Sequence, residues 1–309
     1  GCYSFRENVR NKFIVMEKIG VVTVTYNSSD VIDKFLKDLF KQKFSNFLLY
    51  VVDNASTDNS LEKINKIKDS RTKVIKNSVN KGVANANNKG IASALKDNCS
   101  HVLLLNNDVE FTDDLFNILI NSISSNKYSL VSPKINFFDN KDIIWYAGGV
   151  FNKYNGFLPS HIGLNGKDGD NFNEKATTEY ASTCCLLIKK EVFDDIGLMD
   201  ERYFVYFDDT DFLYRVLKDN RHKLLYNPSA TLYHKVGSLS KSFMKKQNNK
   251  LYRSDFFLTQ NIKNHIYFLR KIGGPFAFVF SLFLFFKNNA RFLLSYRIKL
   301  NLSTFILIN

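Results

Sequence analysis

Residues 103–110 read LLLNNDVE. Three leucines run straight into Asn106, Asn107 and Asp108. The apolar run predicts a buried strand over Val102–Leu105. Its end in two amides and a carboxylate predicts a ligand waiting at the strand's carboxyl end.

The flanking sequence sets that strand among others. Gly20–Tyr26 (GVVTVTY), Leu48–Val52 (LLYVV) and Lys73–Asn77 are short and rich in β-branched or large apolar residues, as buried strands are. Between them, Ser28–Lys43 places Val31, Phe35, Leu36, Leu39 and Phe40 at helical spacing, and Asn59–Lys68 places Leu61, Ile64 and Ile67 on one helical face. Val83–Leu95 reads as a helix of small residues, introduced by Asn80-Lys81-Gly82. Strands alternating with helices predict an α/β fold with a doubly wound, mostly parallel sheet. In such sheets ligands bind at the carboxyl ends of the strands. The polar clusters Tyr26-Asn27, Asp53-Asn54 and Asn106-Asn107-Asp108 all fall there. Any one of them could be an ordinary turn; three at successive strand ends point to a binding site.

Two common nucleotide sites are excluded. No G-x-G-x-x-G follows the first strand, where Tyr26-Asn27-Ser28-Ser29 stands instead, and no G-x-x-x-x-G-K-[ST] occurs anywhere. Further along, Pro133–Tyr180 reads as irregular, with long loops, short strands and the single tryptophan, Trp145. Ser182–Ile188 is an apolar strand and Lys190–Ile196 a short helix. Phe207–Lys218 is a helix with Asp208, Asp209 and Asp211 in its first turn. Arg221–Pro228 and Ala230–Val236 read as two closing strands, with His234 near the end.

The 309 residues carry a net charge of +13, unevenly spread. From Ser240 to Asn309 there are 12 Lys/Arg and one acid, Asp255, so that segment holds +11 of the total. A near-neutral body with a basic tail points to an anionic surface, nucleic acid or lipid headgroups. The four cysteines, Cys2, Cys99, Cys184 and Cys185, show no CxxC spacing, so neither a zinc site nor a thioredoxin-like motif is indicated. They read as reduced, in a cytoplasmic setting. No secretory leader is evident, and Met16 reads as a natural start, with the preceding residues an extension that is not native.

Taken in order, TVTYN (23–27), VVDNASTD (51–58), NKGVANANNKG (80–90), LLLNNDV (103–109), GLMDERYFVYFDDTDF (197–212) and ATLYHKVGS (230–238) resemble the family-2 glycosyltransferases, more narrowly their rhamnosyltransferase-like bacterial branch. The resemblance covers roughly Ile19–Ser240. It implies a GT-A fold, a nucleotide-diphospho-sugar donor, a divalent metal (Mg²⁺ or Mn²⁺) and transfer with inversion. The implied layout is an extension over 1–18, a catalytic domain over 19–240 and a helical tail over 241–309. Within the catalytic domain, 19–110 is the nucleotide half and 111–240 the acceptor half.

The resemblance also implies roles. Departure of a nucleotide diphosphate leaves charge that a divalent cation neutralises as a Lewis acid, and hard cations take oxygen ligands. Asp108 occupies the last position of the family's metal-holding DXD pattern, with His234 as a second ligand. Asn106 stands where the first aspartate of that pattern would be, so one carboxylate is missing. Asp53 matches the aspartate that accepts the imide N–H of uracil or thymine; an Asx turn or a helix cap is the alternative for it. Thr25, Tyr26, Asn27, Asn80, Gly82, Asn106 and Asn107 match the nucleotide pocket, Gly82 by letting backbone approach closely. Asp209 matches the base that takes the acceptor's proton, while capping accounts for Asp208 and Asp211. Asp208 and Cys184 fall on the acceptor side, Cys184 as packing and not as a nucleophile.

The tail carries the 11-residue apolar run Phe276–Phe286, interrupted by Lys287-Asn288-Asn289. Interfacial helices with a basic face fit it better than a membrane-spanning segment; a helical cap on the body or a homodimer contact is the alternative. The expected partners are a nucleotide-sugar donor of UDP or dTDP type and a lipid-linked saccharide acceptor of surface polysaccharide synthesis, on the cytoplasmic face of a membrane. A nucleic-acid role leaves the strand-end acids unexplained, and the tail's Phe/Leu content favours lipid. The rival within the family is a catalytically inactive homologue that binds glycan or nucleotide, prompted by Asn106.

Overall fold

The computed structural model describes residues 17–235, 244–247, 250–253 and 255–294. Most of the expected extension, Val236–Ser238 of the last motif and the end of the tail lie outside the described residues.

The first half follows the alternation. β1 (Ile19–Thr25), α1 (Ile32–Phe40), β2 (Phe47–Asp53), α2 (Ser60–Asn65), β3 (Thr72–Lys76), α3 (Val83–Lys96) and β4 (His101–Leu105) run in order. β1 pairs in parallel with β2 and with β4, and β2 with β3. Helices on both faces force the central strands to be apolar throughout, and all five residues of β4 are buried. α1 is shorter than its periodic stretch, yet the residues it buries, Ile32, Phe35, Leu36 and Leu39, lie on one stripe.

The second half adds β5 (Val109–Phe111), α4 (Leu115–Ser122), β6 (Leu130–Phe137), β7 (Ile144–Tyr146), β8 (Gly149–Asn152), β9 (Leu158–His161), β10 (Ala176–Thr178), β11 (Cys185–Lys189), α5 (Lys190–Ile196), α6 (Asp208–Asp219) and β12 (Leu224–His234). The main sheet has the order β10-β12-β6-β11-β4-β1-β2-β3, with β5 edging β12 and β7 edging β6. β11 enters antiparallel to both β4 and β6, so the sheet is mixed but mostly parallel.

Three expectations need correction. The stretch read as irregular from Pro133 begins inside β6, an eight-residue strand. Pro133 disguised it, because proline cannot donate to a ladder. Here Pro133 pairs with Asn227, where the register of β12 shifts before Thr231, so the missing donor falls at a bulge. The two closing strands are one, β12, running through that bulge. Finally, Lys287-Asn288-Asn289 does not end the last helix.

Beyond β12 come the hairpin β13 (Met244–Gln247) and β14 (Lys250–Arg253), then α7 (Asp255–Ile272) and α8 (Pro275–Leu294). Lysine and asparagine end an apolar run without breaking helical hydrogen bonding, so α8 continues through them. Among the described residues no helix is long and apolar enough to cross a membrane. α7 packs on the body, with Phe268 sealed against Tyr203 and Phe207. α8 leaves Phe276, Phe278, Val279, Leu282, Phe283 and Phe286 exposed. Cys99, Cys184 and Cys185 are buried and unpaired as disulfides.

Candidate active site

The ends of β1, β2 and β4 meet in a network of side-chain amides and hydroxyls. Asn107 Nδ2 donates to the Val24 carbonyl, Thr25 Oγ1 and Ser28 Oγ at 3.1–3.3 Å, pinning β4 to the end of β1. Thr25 is buried, whereas Tyr26 is 43% exposed. Asn27, at φ +50°, accepts from the Thr57 N–H at 2.8 Å. Asn54, which sequence reasoning treated only as the neighbour of Asp53, is the hub of this wall. It donates to Asn80 Oδ1 and the Gly82 carbonyl, and accepts from Asn77 Nδ2 and the Lys81 N–H. The polar groups of Thr25, Asn27, Asn80 and Asn107 thus form a hydrogen-bonded wall at these strand ends. Gly82 does allow a close backbone approach, but its neighbour is Phe204: at φ +86° a Cβ there would overlap the Phe204 carbonyl.

Asp53 stands apart from this network. It ends β2 and is 2% exposed. Its Oδ2 accepts from the Ser56 N–H at 3.2 Å, so the Asx-turn contact exists. Oδ1 is buried and, among the described residues, no donor reaches it. A buried acceptor without a donor is costly, and a ligand N–H would satisfy it.

Beyond β4, β5 runs beside β12 and sets His234 opposite Val109, one residue from Asp108. His234 Nε2 lies 3.4 Å from Asp108 Oδ1, and both side chains are almost fully buried. Burial alone would lower the imidazole's proton affinity; the adjoining Cys184 and Asp108 outweigh it and carry His234 up to about 10. Its Nδ1 is buried with no hydrogen-bond partner among the described residues. Cys184 is buried beside this pair, and burial pushes its thiol up, which fits packing and not nucleophilic attack. The Asn106 N–H donates to the Cys184 carbonyl at 2.9 Å, leaving its half-buried side chain at the rim.

Among the described residues no three His, Cys, Asp or Glu side chains converge into a complete metal cage. Asp108 and His234 would fit a divalent ion that displaces the imidazole's proton on binding, with the remaining positions filled by substrate. Mg²⁺ in particular is commonly bound through one or two carboxylates, with phosphate oxygens and water completing the shell.

The third cluster lies at the start of α6. Asp208 is buried and Asp209 half-buried. Burial pushes Asp208 up, and the adjacent Asp209 charge adds to the shift. Burial raises Asp209 as well, against the Tyr180 hydroxyl and the Thr210 N–H. Tyr180 Oη donates to Asp209 Oδ2 at 2.8 Å. The backbone at Asp208 and Asp209 hydrogen-bonds the Asp208 carboxyl, a capping contact at the start of α6. Asp209 Oδ1 accepts from the Thr210 N–H, while Asp211 pairs with Arg215 at 2.9 Å and Lys271 at 2.7 Å.

Aromatic rings join the last two clusters. His234 packs edge-on to Trp145 at 4.7 Å, Trp145 to His161 at 4.7 Å, and His161 stacks on Tyr180 at 5.8 Å. Sequence reasoning noted Trp145 only as the lone tryptophan and missed Tyr180 and His161. All three come from the segment expected to be irregular, where no periodicity marks them.

Comparison with known proteins places this geometry. The family described as glycosyl transferase family 2 matches residues 20–197, more than half of the chain. Over 129 residues the chain is 30% identical to a low-salt glycan biosynthesis hexosyltransferase of Haloferax volcanii, covering 40% of this chain and 38% of that protein. Over 56 residues it is 36% identical to the UDP-Glc:α-D-GlcNAc-diphosphoundecaprenol β-1,3-glucosyltransferase of Escherichia coli, covering 18% of this chain and 22% of that protein. The matched stretches thus span less than half of either relative's length. Among solved structures, GalNAc-T7 with UDP, GalNAc and Mn²⁺ superposes with a TM-score of 0.57 at 17% identity, covering 70% of this chain and 43% of that one. The fold is that of the GT-A glycosyltransferases.

Proposed function

Because the chain belongs to glycosyl transferase family 2, we propose that it transfers a sugar, with inversion, from a nucleotide-diphospho-sugar to a lipid-linked saccharide. The observation that carries this reading is the buried Asp53 carboxylate at the end of β2, whose Oδ1 meets no donor among the described residues. A buried carboxyl pair with raised proton affinity at the start of α6 supports it.

On this reading Asp53 Oδ1 accepts the imide N–H of uracil or thymine, which selects a UDP or dTDP donor. Thr25, Asn27, Asn80, Gly82 and Asn107 shape the pocket, and Tyr26 and Asn106 line its rim. Asp108 and His234 hold a divalent cation, Mg²⁺ or Mn²⁺, that supplies Lewis-acid neutralisation of the diphosphate. Asp209 takes the proton of the acceptor hydroxyl as its oxygen bonds to the anomeric carbon. The bond from that carbon to the diphosphate breaks on the opposite side, and the nucleoside diphosphate leaves with the bonding pair. The Tyr180 hydroxyl fixes Asp209 and favours its ionised form. Asp208, buried beside it, keeps its proton more readily.

The acceptor reading draws on the Escherichia coli relative, whose substrate is a diphosphoundecaprenol-linked sugar, and on the tail. α8 presents an exposed apolar face from Phe276 to Phe286, next to a segment carrying +11. A basic, Phe-rich helix suits the headgroup boundary of an anionic membrane. The catalytic domain over 19–240, the membrane-facing tail over 241–309, the cytoplasmic side of the membrane, the rhamnosyltransferase-like branch and surface polysaccharide synthesis belong to the same proposal.

The test is a thermal-shift screen of UDP-, dTDP- and GDP-sugars with Mg²⁺ or Mn²⁺, followed by donor turnover. Stabilisation by a pyrimidine nucleotide-sugar that requires metal is the expected result. Binding without any turnover, with or without acceptor, would favour the inactive homologue.

A further inference from the structure

Two consecutive residues without glycine's freedom, Tyr206 and Phe207, lie in the left-handed region at φ +66° and +70°. They immediately precede Asp208 and Asp209, and the Phe207 carbonyl accepts the first bond of α6, from the Asp211 N–H at 2.8 Å. Aromatic side chains rarely adopt this conformation, and it persists only where the surroundings impose it. The α6 N-terminus receives no side-chain cap at Phe207. What imposes the turn comes from α7. Asn264, 1% exposed, donates from Nδ2 to the Val205 carbonyl at 2.8 Å and the Tyr206 carbonyl at 3.0 Å. Beside it, the His265 and Phe268 rings pack on Phe207, 5.3 and 5.9 Å away.

The same short loop is held from the donor side. The Val83 N–H at the start of α3 donates to the Phe204 carbonyl at 2.7 Å, and a Cβ on Gly82 would overlap that carbonyl. Three successive carbonyls, of Phe204, Val205 and Tyr206, are therefore each hydrogen-bonded from outside the loop before the chain turns into the acid pair. Asn264 supplies two of those three bonds.

We infer that Asn264 is a positioning residue for the carboxylate pair: through the left-handed turn at Tyr206-Phe207 it sets Asp209 against Tyr180. This rests on Asp209 being the base. It ties the basic, apolar C-terminal helices to the reacting end of α6, so that the segment facing the membrane also holds the catalytic turn. A residue 55 positions after Asp209 in the chain then controls its placement.

The test compares the full chain with Asn264→Ala and with Asn264→Ala combined with Tyr206→Gly. Glycine takes the left-handed conformation without steric cost, so it should restore the turn when the amide is gone. Two readouts are independent of donor and acceptor: hydrogen exchange of the amides from Phe204 to Asp211, and carbon-13 titration of the Asp208 and Asp209 carboxyls. The titratable groups facing this pair are Tyr180, His161 and Asp211. In Asn264→Ala, exchange in this segment should rise about tenfold while the sheet is unchanged, and both carboxyls should titrate closer to an ordinary aspartate. The double variant should recover the raised titration. Wild-type exchange and titration in Asn264→Ala would overturn the inference. So would a uniform rise in exchange across α7 and the sheet, or a double variant no better than the single one, since either marks a merely structural asparagine. Asp209→Asn is assayed alongside for transfer. Full transfer there sinks the base assignment while leaving the clamp's exchange signature intact; loss of transfer there with an unperturbed Asn264→Ala sinks the clamp alone.

Discussion

The Tyr180 hydroxyl donates to Asp209 Oδ2 at 2.8 Å, from a ring that is itself stacked on His161. The bond favours the ionised carboxylate against the burial that disfavours it. Tyr180→Phe keeps the ring and removes only this donor, so Asp209 should hold its proton to higher pH. The acidic limb of the pH–rate profile should therefore move up, by about one to two pH units for a hydrogen bond to a charged group. An unmoved limb would mean that Asp209 is not the group titrating in the reaction.

Asp209→Asn preserves shape but cannot accept the acceptor's proton. Transfer should fall by about 10²–10⁴-fold with donor affinity nearly unchanged. Transfer that survives this change but vanishes in Asp208→Asn would move the base by one residue.

Asp208 also carries a stability cost. Its proton is held more tightly in the folded protein, up to about 8, than at the ordinary 3.8 of an exposed aspartate. As pH rises from about 4 to about 8, the unfolded chain releases that proton first, so wild-type stability falls through this window. The cost is then fully present above it. Asp208→Asn should therefore melt progressively higher than wild type as pH rises from 4 to 8. A constant difference in Tm across the window would contradict the assignment.

Asp53→Ala removes the acceptor proposed to read the base. Affinity for UDP or dTDP should drop about tenfold or more, the scale of one buried hydrogen bond to a charged group. Affinity for GDP should change little. Equal losses for pyrimidine and purine nucleotides would leave Asp53 only its contact with the Ser56 N–H.

Asp108→Ala should abolish the part of donor binding that Mn²⁺ or Mg²⁺ supports, bringing affinity to the level seen with EDTA. Calorimetry with UDP at fixed metal reads this directly. Full activity in EDTA would remove the metal from the proposal.

The exposed face of α8 should bind anionic vesicles at low salt. Phe278→Ser with Phe283→Ser removes two exposed rings, 64% and 53% accessible, each worth about 1.5–3 kcal/mol when buried. Flotation should then be lost while the melting temperature holds. A wild-type chain that fails to float would assign this face to another partner.

Much of this protein was legible from residue order. The parallel half of the sheet could be read because each strand and helix there carries its own burial pattern, and that pattern is local. Asp53, Asp108 and Asp209 stood out as carboxylates at the margins of apolar elements, and the structure places Asp53 at the end of β2, Asp108 just before β5 and Asp209 in the first turn of α6. What the sequence could not disclose depends on pairings between distant segments. β6 was hidden by Pro133, whose missing donor is harmless only because β12 bulges opposite it. Tyr180, His161 and Trp145 acquire meaning only when β7, β9 and the segment after β10 bring their rings together between His234 and Asp209. Asn54 and Asn264 look like any surface amide until their neighbours' backbone groups turn toward them. Periodicity records which face of an element avoids water; which buried carbonyl meets which amide is decided by tertiary packing, because a buried polar group must find its partner wherever in the chain that partner lies.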